Sequence, residues 1–199
     1  MQINSYQLGI IWAIGSYTDG YMVFRHKEKY FLEQLQPLFQ NKNRIRFQNN
    51  KGNTQYMLKS ANFDVEYLQK LGWENRLSKN RALPILEDYT GFLKAYIECH
   101  GTFDYCTAYS SKKKYYRLRF RLYGNLFLIE QIENILNRDF GLAPKKVQTL
   151  QNKKSGYIAY TNLDELHKIV RTFEGEPCLK SFWSGANEKL KNPRKGASK

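Results

Sequence analysis

Two stretches decide the fold: QLGIIWAIGSY at residues 7–17 and FLKAYIECHGTF at residues 92–103. Each is a short apolar segment that ends on glycine followed by serine or threonine, and each carries two small residues one helical turn apart. These small residues are Gly9 and Ala13 in the first stretch, and Ala95 and Cys99 in the second. Because small residues at i and i+4 let another backbone come close, we expect two helices that pack on each other at an interface between repeats.

The rest of the chain repeats one plan. In the first half, periodicity predicts a helix, a hairpin around residues 18–20, a second helix, two alternating strands and a closing helix. The second half predicts the same order, and FLEQLQPLF (31–39) aligns with LIEQIENIL (128–136). The sequence therefore predicts an α+β protein in which an αββαββα unit occurs twice. The expected boundaries are 1–74 for the first repeat, 75–88 for a polar, basic linker, 89–175 for the second repeat, and 176–199 for an extension with a basic, disordered tail.

Charge and cysteine content restrict the partners and the compartment. The net charge is +14, from 32 Lys+Arg against 18 Asp+Glu, which favours a polyanionic partner such as nucleic acid. Cys99, Cys106 and Cys178 have no paired spacing, and an odd number of cysteines argues for a reducing compartment. No apolar run reaches the length of a membrane span, and no Lys or Arg precedes the first one. We therefore expect no membrane partner and a location in the cytoplasm, at the nucleoid, or inside an organelle.

The motifs LGIIWAIGS and LKAYIECHGT, together with the duplication, resemble the LAGLIDADG homing endonucleases in their single-chain, two-repeat form. The resemblance covers the chain from about residue 6 to residue 173. It implies two pseudo-symmetric repeats that are joined by the paired helices, each with an antiparallel sheet that forms part of a saddle over duplex DNA. It also implies that an acidic residue just before the glycine of each motif binds the metal ions that drive strand cleavage.

In this sequence the acidic positions of the motifs are occupied by Ile14 and His100. Isoleucine offers no ligand, and a lone imidazole is a poor ligand for Mg²⁺. A shifted first register would supply Asp19, but it would break the match of small residues between the two stretches. Glu98 lies two residues early, on nearly the opposite side of the helix. We therefore expect degenerate catalytic positions, no metal site and no cofactor, with Mg²⁺ needed only if cleavage is retained.

Two predicted strands alternate basic or amide side chains with apolar ones. In YYRLRFRLY the three arginines share one face and the apolar residues face the core, and in NRIRFQ we expect Ile45 and Phe47 to point inward. Such faces suit a sheet that reads the major groove, while lysines at turns and strand ends contact phosphates. The expected DNA-binding residues are Arg44, Arg46, Gln48, Lys51, Lys112, Lys113, Lys114, Arg117, Arg119, Arg121, Lys145, Lys146, Gln148, Lys153 and Lys154.

The sequence thus predicts a sequence-specific, double-stranded DNA-binding protein that has lost cleavage and serves in transcriptional regulation. We expect a monomer, because both sheets lie in one chain. Two alternatives stay open at this point. One is an endonuclease that cleaves or nicks DNA with Asp19, Glu98 or His100 as unusual ligands. The other is an intron maturase that binds structured intron RNA.

Overall fold

The computed structural model describes residues 2–39, 43–50, 52–61, 63–75, 78–110, 113–151 and 153–196. The first αββαββα set runs α1 (Ser5–Ile14), β1 (Gly15–Thr18), β2 (Tyr21–His26), α2 (Tyr30–Leu35), β3 (Arg46–Asn50), β4 (Asn53–Ser60) and α3 (Val65–Lys70). The second runs α4 (Thr90–His100), β5 (Gly101–Ser110), β6 (Lys113–Asn125), α5 (Leu126–Arg138), β7 (Gln148–Thr149), β8 (Ser155–Tyr160) and α6 (Leu163–Phe173). Helix α7 (Lys180–Lys191) and strand β9 (Arg194–Gly196) follow.

The two sheets have the same strand order. It is β1-β2-β4-β3 in the first sheet and β5-β6-β8-β7 in the second, with antiparallel neighbours throughout. Equal strand order in both sheets, built from elements in equal chain order, confirms the predicted α+β fold with two αββαββα repeats. Strand β9 is an addition to this plan and pairs with β6.

The chain divides into two compact units, Met1–Cys99 and His100–Lys199. This division falls at the end of α4, whereas the sequence places a linker at residues 75–88. Most of α4 belongs to the first unit, where it packs on α1.

The contact between α1 and α4 depends on glycine. A Cβ atom built on Gly9 would lie 2.3 Å from the carbonyl oxygen of Phe92 and 2.8 Å from the Cβ of Ala95. A Cβ built on Gly91 would lie 2.3 Å from the Oγ of Ser5. Neither position has room for a side chain, so the two helix backbones approach closely, as small residues at a helix interface allow. The ring of Trp12 packs edge-on against that of Phe92, with centroids 6.0 Å apart.

The segment before α4 is held against α1 and is not a free connection. Arg81 is only 1% exposed, and its Nη2 donates a hydrogen bond to the carbonyl oxygen of Trp12. The indole Nε1 of Trp12 in turn donates to the carbonyl oxygen of Ala82 at 2.8 Å. Arg81, in the segment that the sequence predicts as a polar, basic linker, is therefore buried, because the C-terminal end of α1 offers its guanidinium a carbonyl acceptor.

The C-terminal extension forms α7 and β9, and β9 ends at Gly196, within the segment where the sequence predicts a disordered tail. Trp183, Ala186 and Leu190 are buried on one side of α7, which gives the helix an apolar face that requires cover. Pro193 then accepts a hydrogen bond from the backbone N–H of Leu118 at 2.7 Å, and β9 continues along β6. Residues 197–199 lie outside the described residues.

No helix within the described part of the chain is long and apolar enough to cross a membrane.

Candidate nucleic-acid interface

The first sheet presents a basic face, formed by side chains that strand alternation places on one side. Arg46 of β3 and Arg25 of β2 both pair with Met57 of β4, one from each side. Lys59 lies two residues after Met57 on β4, and its Nζ is 3.6 Å from the centroid of the Tyr21 ring. We call this surface the first basic face, and it comprises Tyr21, Arg25, Arg46, Gln48, Met57 and Lys59.

The first basic face is concave at one end. A hollow of about 420 Å³ is lined there by Tyr21, Asn43, Arg44, Arg46, Met57 and Lys59. Arg44 and Arg46 are exposed and Gln48 is half-buried, so the guanidinium groups that the sequence predicts on this face are open to a partner. Arg25 and Lys59 were not predicted, although the alternation of YMVFRH and TQYMLK could have indicated them. Lys51 lies outside the described residues.

Phe47 lies on the predicted side of its sheet, but it is not buried there. Phe47 pairs with Tyr56 and lies on the side opposite Arg46, yet its side chain is 60% exposed. Strand β3 is the edge of the sheet, and the core residues of the other strands, such as Phe24 and Leu58, do not extend under it. The Phe47 ring packs instead on Tyr56, with centroids 5.4 Å apart. Ile45 is half-buried.

The second sheet presents a larger basic face on β6. Leu118, Phe120 and Leu122 are at most 2% exposed and form the core side, so Arg117, Arg119 and Arg121 lie on the opposite side, as their alternation indicates. Register places residues of the neighbouring strands on the same side as these arginines. We call this surface the second basic face, and it comprises Asp104, Lys113, Tyr115, Arg117, Arg119, Arg121, Tyr123, Gln148, Tyr157 and Arg194.

An aspartate lies in the middle of the second basic face. The Oδ1 and Oδ2 atoms of Asp104 accept hydrogen bonds from Nε and Nη2 of Arg119 at 3.0 and 3.1 Å. Oδ2 also accepts from Nη2 of Arg121. The hydrogen bond to Asp104 raises the pKa of Arg119 above its ordinary value. Sequence reasoning missed Asp104, because only the β5–β6 register shows that it lies opposite Arg119.

Two aromatic rings also contact Arg121. Its guanidinium carbon lies 5.2 Å from the ring centroid of Tyr123 and 5.8 Å from that of Tyr157, within the range of cation–π attraction. The hydroxyl of Tyr157 donates a hydrogen bond to Oε1 of Gln148, which is exposed at the edge of the sheet. Arg121 and Gln148 thus belong to one continuous polar surface.

The C-terminal strand adds an arginine that the sequence did not predict. Strand β9 pairs with β6 so that Arg194 lies beside Arg117. The Arg194 guanidinium lies over the Tyr115 ring, 5.7 Å from its centroid. The two arginines line a hollow of about 230 Å³ beside Pro193. Only pairing with a distant strand brings Arg194 to this place, so local sequence patterns carry no signal for it.

The predicted phosphate-binding lysines divide into two groups. Lys113, Lys114, Lys146, Lys153 and Lys154 are exposed, although Lys114 lies on the opposite side of β6 from the arginines, 5.3 Å from the Tyr116 ring centroid. Lys145 is half-buried, and its Nζ forms an ion pair with Glu165 at 2.9 Å and lies 5.0 Å from the centroid of the buried Tyr160 ring. Lys112 lies outside the described residues.

Solved structures with the same fold bind DNA. I-SmaMI bound to cleaved DNA, a LAGLIDADG homing endonuclease, superposes with a TM-score of 0.63 at 14% sequence identity and covers 96% of this chain and 88% of its own. I-LtrWI, a LAGLIDADG homing endonuclease bound to target DNA, gives a TM-score of 0.64 at 16% identity, with 94% and 90% covered. The chain has the LAGLIDADG homing-endonuclease fold. No protein-family model and no curated protein matches it by sequence.

A divalent ion is present in one of these similar structures. I-SmaMI bound to an uncleaved DNA target in the presence of calcium ions superposes with a TM-score of 0.66 at 11% identity and covers 96% of this chain and 92% of its own. In the LAGLIDADG resemblance, the ligand positions fall on Ile14 and His100, the last residues of α1 and α4. Both are half-buried. Isoleucine supplies no donor atom, so these residues do not fit an ion that requires several oxygen ligands.

The acids nearest to these positions in sequence, Asp19 and Glu98, lie in different surroundings. Asp19 is exposed in the β1–β2 turn, where its φ of 52° and that of Gly20 at 76° form the tight connection. Glu98 is 4% exposed, and its Oε2 accepts a hydrogen bond from the Tyr6 hydroxyl at 2.5 Å. Within the described ranges, no group of three or more His, Cys, Asp or Glu side chains is arranged to hold a metal ion.

Glu98 also affects its neighbours. Burial, with the Glu98 carboxylate and its hydrogen bond as further causes, raises the pKa of Tyr6 far above its ordinary value. Burial also raises the pKa of the Cys99 thiol, and Glu98 adds to that shift. A tyrosine and a cysteine in these surroundings stay neutral and unreactive. This end of α4 is therefore a buried, hydrogen-bonded part of the helix pair. All three cysteines are free thiols.

Proposed function

We propose that the protein binds duplex DNA in a sequence-specific manner through the two basic faces and has lost strand cleavage. The observation that carries this proposal is the second basic face, where three arginines alternate along β6 with the buried residues Leu118, Phe120 and Leu122. A sheet with guanidinium and amide groups on its open side suits contacts to base edges in the major groove. The first basic face repeats the design with Arg25, Arg46 and Gln48.

The loss of cleavage is proposed from the chemistry of Ile14 and His100. Phosphodiester hydrolysis with divalent ions requires oxygen ligands that hold the ion between the attacking and leaving oxygens. The acids that lie nearest along the chain are engaged or exposed elsewhere, Glu98 in a hydrogen bond with Tyr6 and Asp19 at a turn tip. A protein that holds one DNA site without cutting it blocks other proteins from that site, so we propose transcriptional repression as its use.

The binding proposal is tested by selecting bound duplexes from a random pool and measuring affinity for the winner and for a scrambled duplex. We expect one protein per duplex and a site that is not a perfect palindrome. Affinity is expected to fall steeply with salt, because bound phosphates release their counterions. Arg46→Ala and Arg117→Ala should each weaken binding. Arg171→Ala, which removes an exposed arginine from α6, is the matched control and should have little effect. Selection without enrichment would reject the proposal.

Cleavage is tested on a plasmid that carries the selected site, with Mg²⁺ and separately with Mn²⁺. We expect the plasmid to stay supercoiled. Linear or nicked product that appears only with the selected site would show an endonuclease with unusual ligands. In that case Asp19→Asn, Glu98→Gln and His100→Ala would identify which side chain is required.

Competition with RNA separates DNA binding from a maturase role. We expect that displacing the selected duplex from the protein takes as high a concentration of structured RNA as of scrambled duplex. The reasons are that the basic faces are broad and that the deep, narrow major groove of A-form RNA does not admit a sheet. Displacement by one structured RNA at lower concentration than by duplex would favour the maturase.

A further inference from the structure

The second basic face contains one carboxylate, although a negative charge on a DNA-binding surface is repelled by the phosphates. Asp104 lies at the centre of this face, with its side chain 27% exposed, beside Arg119 and Arg121 at 23% and 24%. Partly buried ion pairs are weak evidence for stability, because the cost of desolvating the charges offsets much of their attraction. A negative charge among phosphate-binding groups also weakens non-specific attraction to DNA. Stability and general affinity therefore give no sufficient reason for an aspartate at this position.

The geometry of the ion pairs gives a better reason. Arg119 contacts Asp104 with one side of its guanidinium, through Nε and Nη2. Among the described residues, no hydrogen bond reaches the edge formed by Nη1 and the second Nη2 hydrogen, and this edge can donate to a pair of acceptors such as O6 and N7 of guanine. Arg121 contacts the same carboxylate through Nη2 and lies beside the rings of Tyr123 and Tyr157, which pack on each other. Both guanidinium groups are thus oriented before any partner binds.

We propose that Asp104 is a specificity-determining residue of the second basic face. This inference depends on the proposed function. Asp104 fixes Arg119 and Arg121 so that they meet guanines at defined positions, and its charge penalises duplexes in which the arginines would have to turn toward phosphates. Pre-orientation lowers the entropy cost of each contact, and repulsion lowers the affinity for wrong sequences.

The test compares Asp104→Asn with Asp139→Asn, a control that makes the same change of charge. Asp139 forms an ion pair with Arg138 at the end of α5 and is not part of the second basic face. Affinity is measured for the selected duplex and for a scrambled duplex at one salt concentration. For Asp104→Asn we expect tighter binding to scrambled duplex and a ratio of the two affinities that falls by about tenfold or more. For Asp139→Asn we expect both affinities to change by one small factor and the ratio to stay the same.

Arg119→Lys provides a second variant that keeps the charge but cannot form the side-on pair of hydrogen bonds. We expect it to lower the affinity ratio as well, with the affinity for scrambled duplex unchanged. Repeated selection with either variant should relax the base preference at one or two neighbouring positions and leave the rest of the site intact.

The outcomes separate this inference from the proposed function. If Asp104→Asn shifts both affinities by one factor, as the control does, Asp104 acts only through general electrostatics and the inference is overturned. If Arg119→Lys leaves the affinity ratio intact, the side-on pair is not needed for readout, which also overturns the inference. If wild-type protein shows no preference for any duplex, the proposed function itself fails. Thermal melting of each variant shows whether it is folded before binding is compared.

Discussion

Gly9 on α1 lies directly against the carbonyl oxygen of Phe92 on α4, with 2.3 Å between that oxygen and the place where a Cβ would be. We expect Gly9→Ala to destabilise the protein by about 2 kcal/mol or more, because two helix backbones cannot separate without loss of packing around them. This outcome would oppose the intrinsic preference of helices for alanine. The free energy of unfolding from urea titration measures the effect.

Gly185 provides the matched control for this substitution. It lies within α7, and nothing lies within 4 Å of the place that its Cβ would occupy. Gly185→Ala is therefore expected to leave stability unchanged or to raise it by about 0.5–1 kcal/mol. If Gly9→Ala proved as stable as Gly185→Ala, the close approach of α1 and α4 would be incorrect.

The hydrogen bond from Tyr6 to Glu98 gives a second prediction. Tyr6→Phe removes the hydroxyl and leaves a buried carboxylate without that donor, which we expect to cost about 1–3 kcal/mol of unfolding free energy. The control is Tyr105→Phe, whose hydroxyl donates to the carbonyl oxygen of Asn192 at an exposed site, where water can replace it. Chemical denaturation of both variants should show the larger loss for Tyr6→Phe. Equal losses would mean that Glu98 finds another donor or binds water.

Local patterns in the sequence were sufficient to predict the order of elements and one of the two basic faces in detail. In a half-buried strand, the strict alternation of YYRLRFRLY allows only one arrangement. Leu118 lies on the core side, and Arg119 lies on the open side. The match of small residues between the two motif helices likewise predicted a contact at Gly9, because such a pair has little purpose on a solvent-facing helix.

What the sequence did not reveal depends on distant partners. Asp104 became part of a basic face only through its register with β6, and Arg194 only through the pairing of β9. Phe47 is exposed because β3 lies at the edge of its sheet, which alternation cannot show. The ion pair of Lys145 was hidden from the sequence for the same reason, since Glu165 is twenty residues away and lies on another element.

His26 predicts how stability depends on pH. Burial lowers the pKa of His26 below its ordinary value of 6.5, and its Nδ1 accepts a hydrogen bond from the backbone N–H of Glu28 at 3.0 Å. The unfolded chain therefore binds a proton at a higher pH than the folded chain does, and stability falls as pH drops below about 6.5. Urea titrations at several pH values from 7.5 to 5.5 measure this slope.

His26→Gln isolates this contribution, because glutamine cannot titrate and can still accept the hydrogen bond from Glu28. We expect the variant to lose less stability than the wild type between pH 7.5 and 5.5, while the behaviour below pH 5, where carboxylates titrate, stays similar. Parallel curves for the two proteins across the upper range would show that another group controls the slope.

If the protein binds DNA as proposed, we expect strand β9 to take part in that binding. Arg194 lies beside Arg117 and over the Tyr115 ring, at the rim of the arginine row. A rim arginine is expected to contact phosphate, because base edges lie deeper in the groove. Arg194→Ala should therefore lower the affinities for the selected and the scrambled duplex by the same factor. It should also reduce the magnitude of the salt slope by about one, which corresponds to one phosphate contact.

Arg171→Ala, with the same change of charge on α6, should leave the slope unchanged. A drop confined to the selected duplex would instead place Arg194 among the base-reading residues.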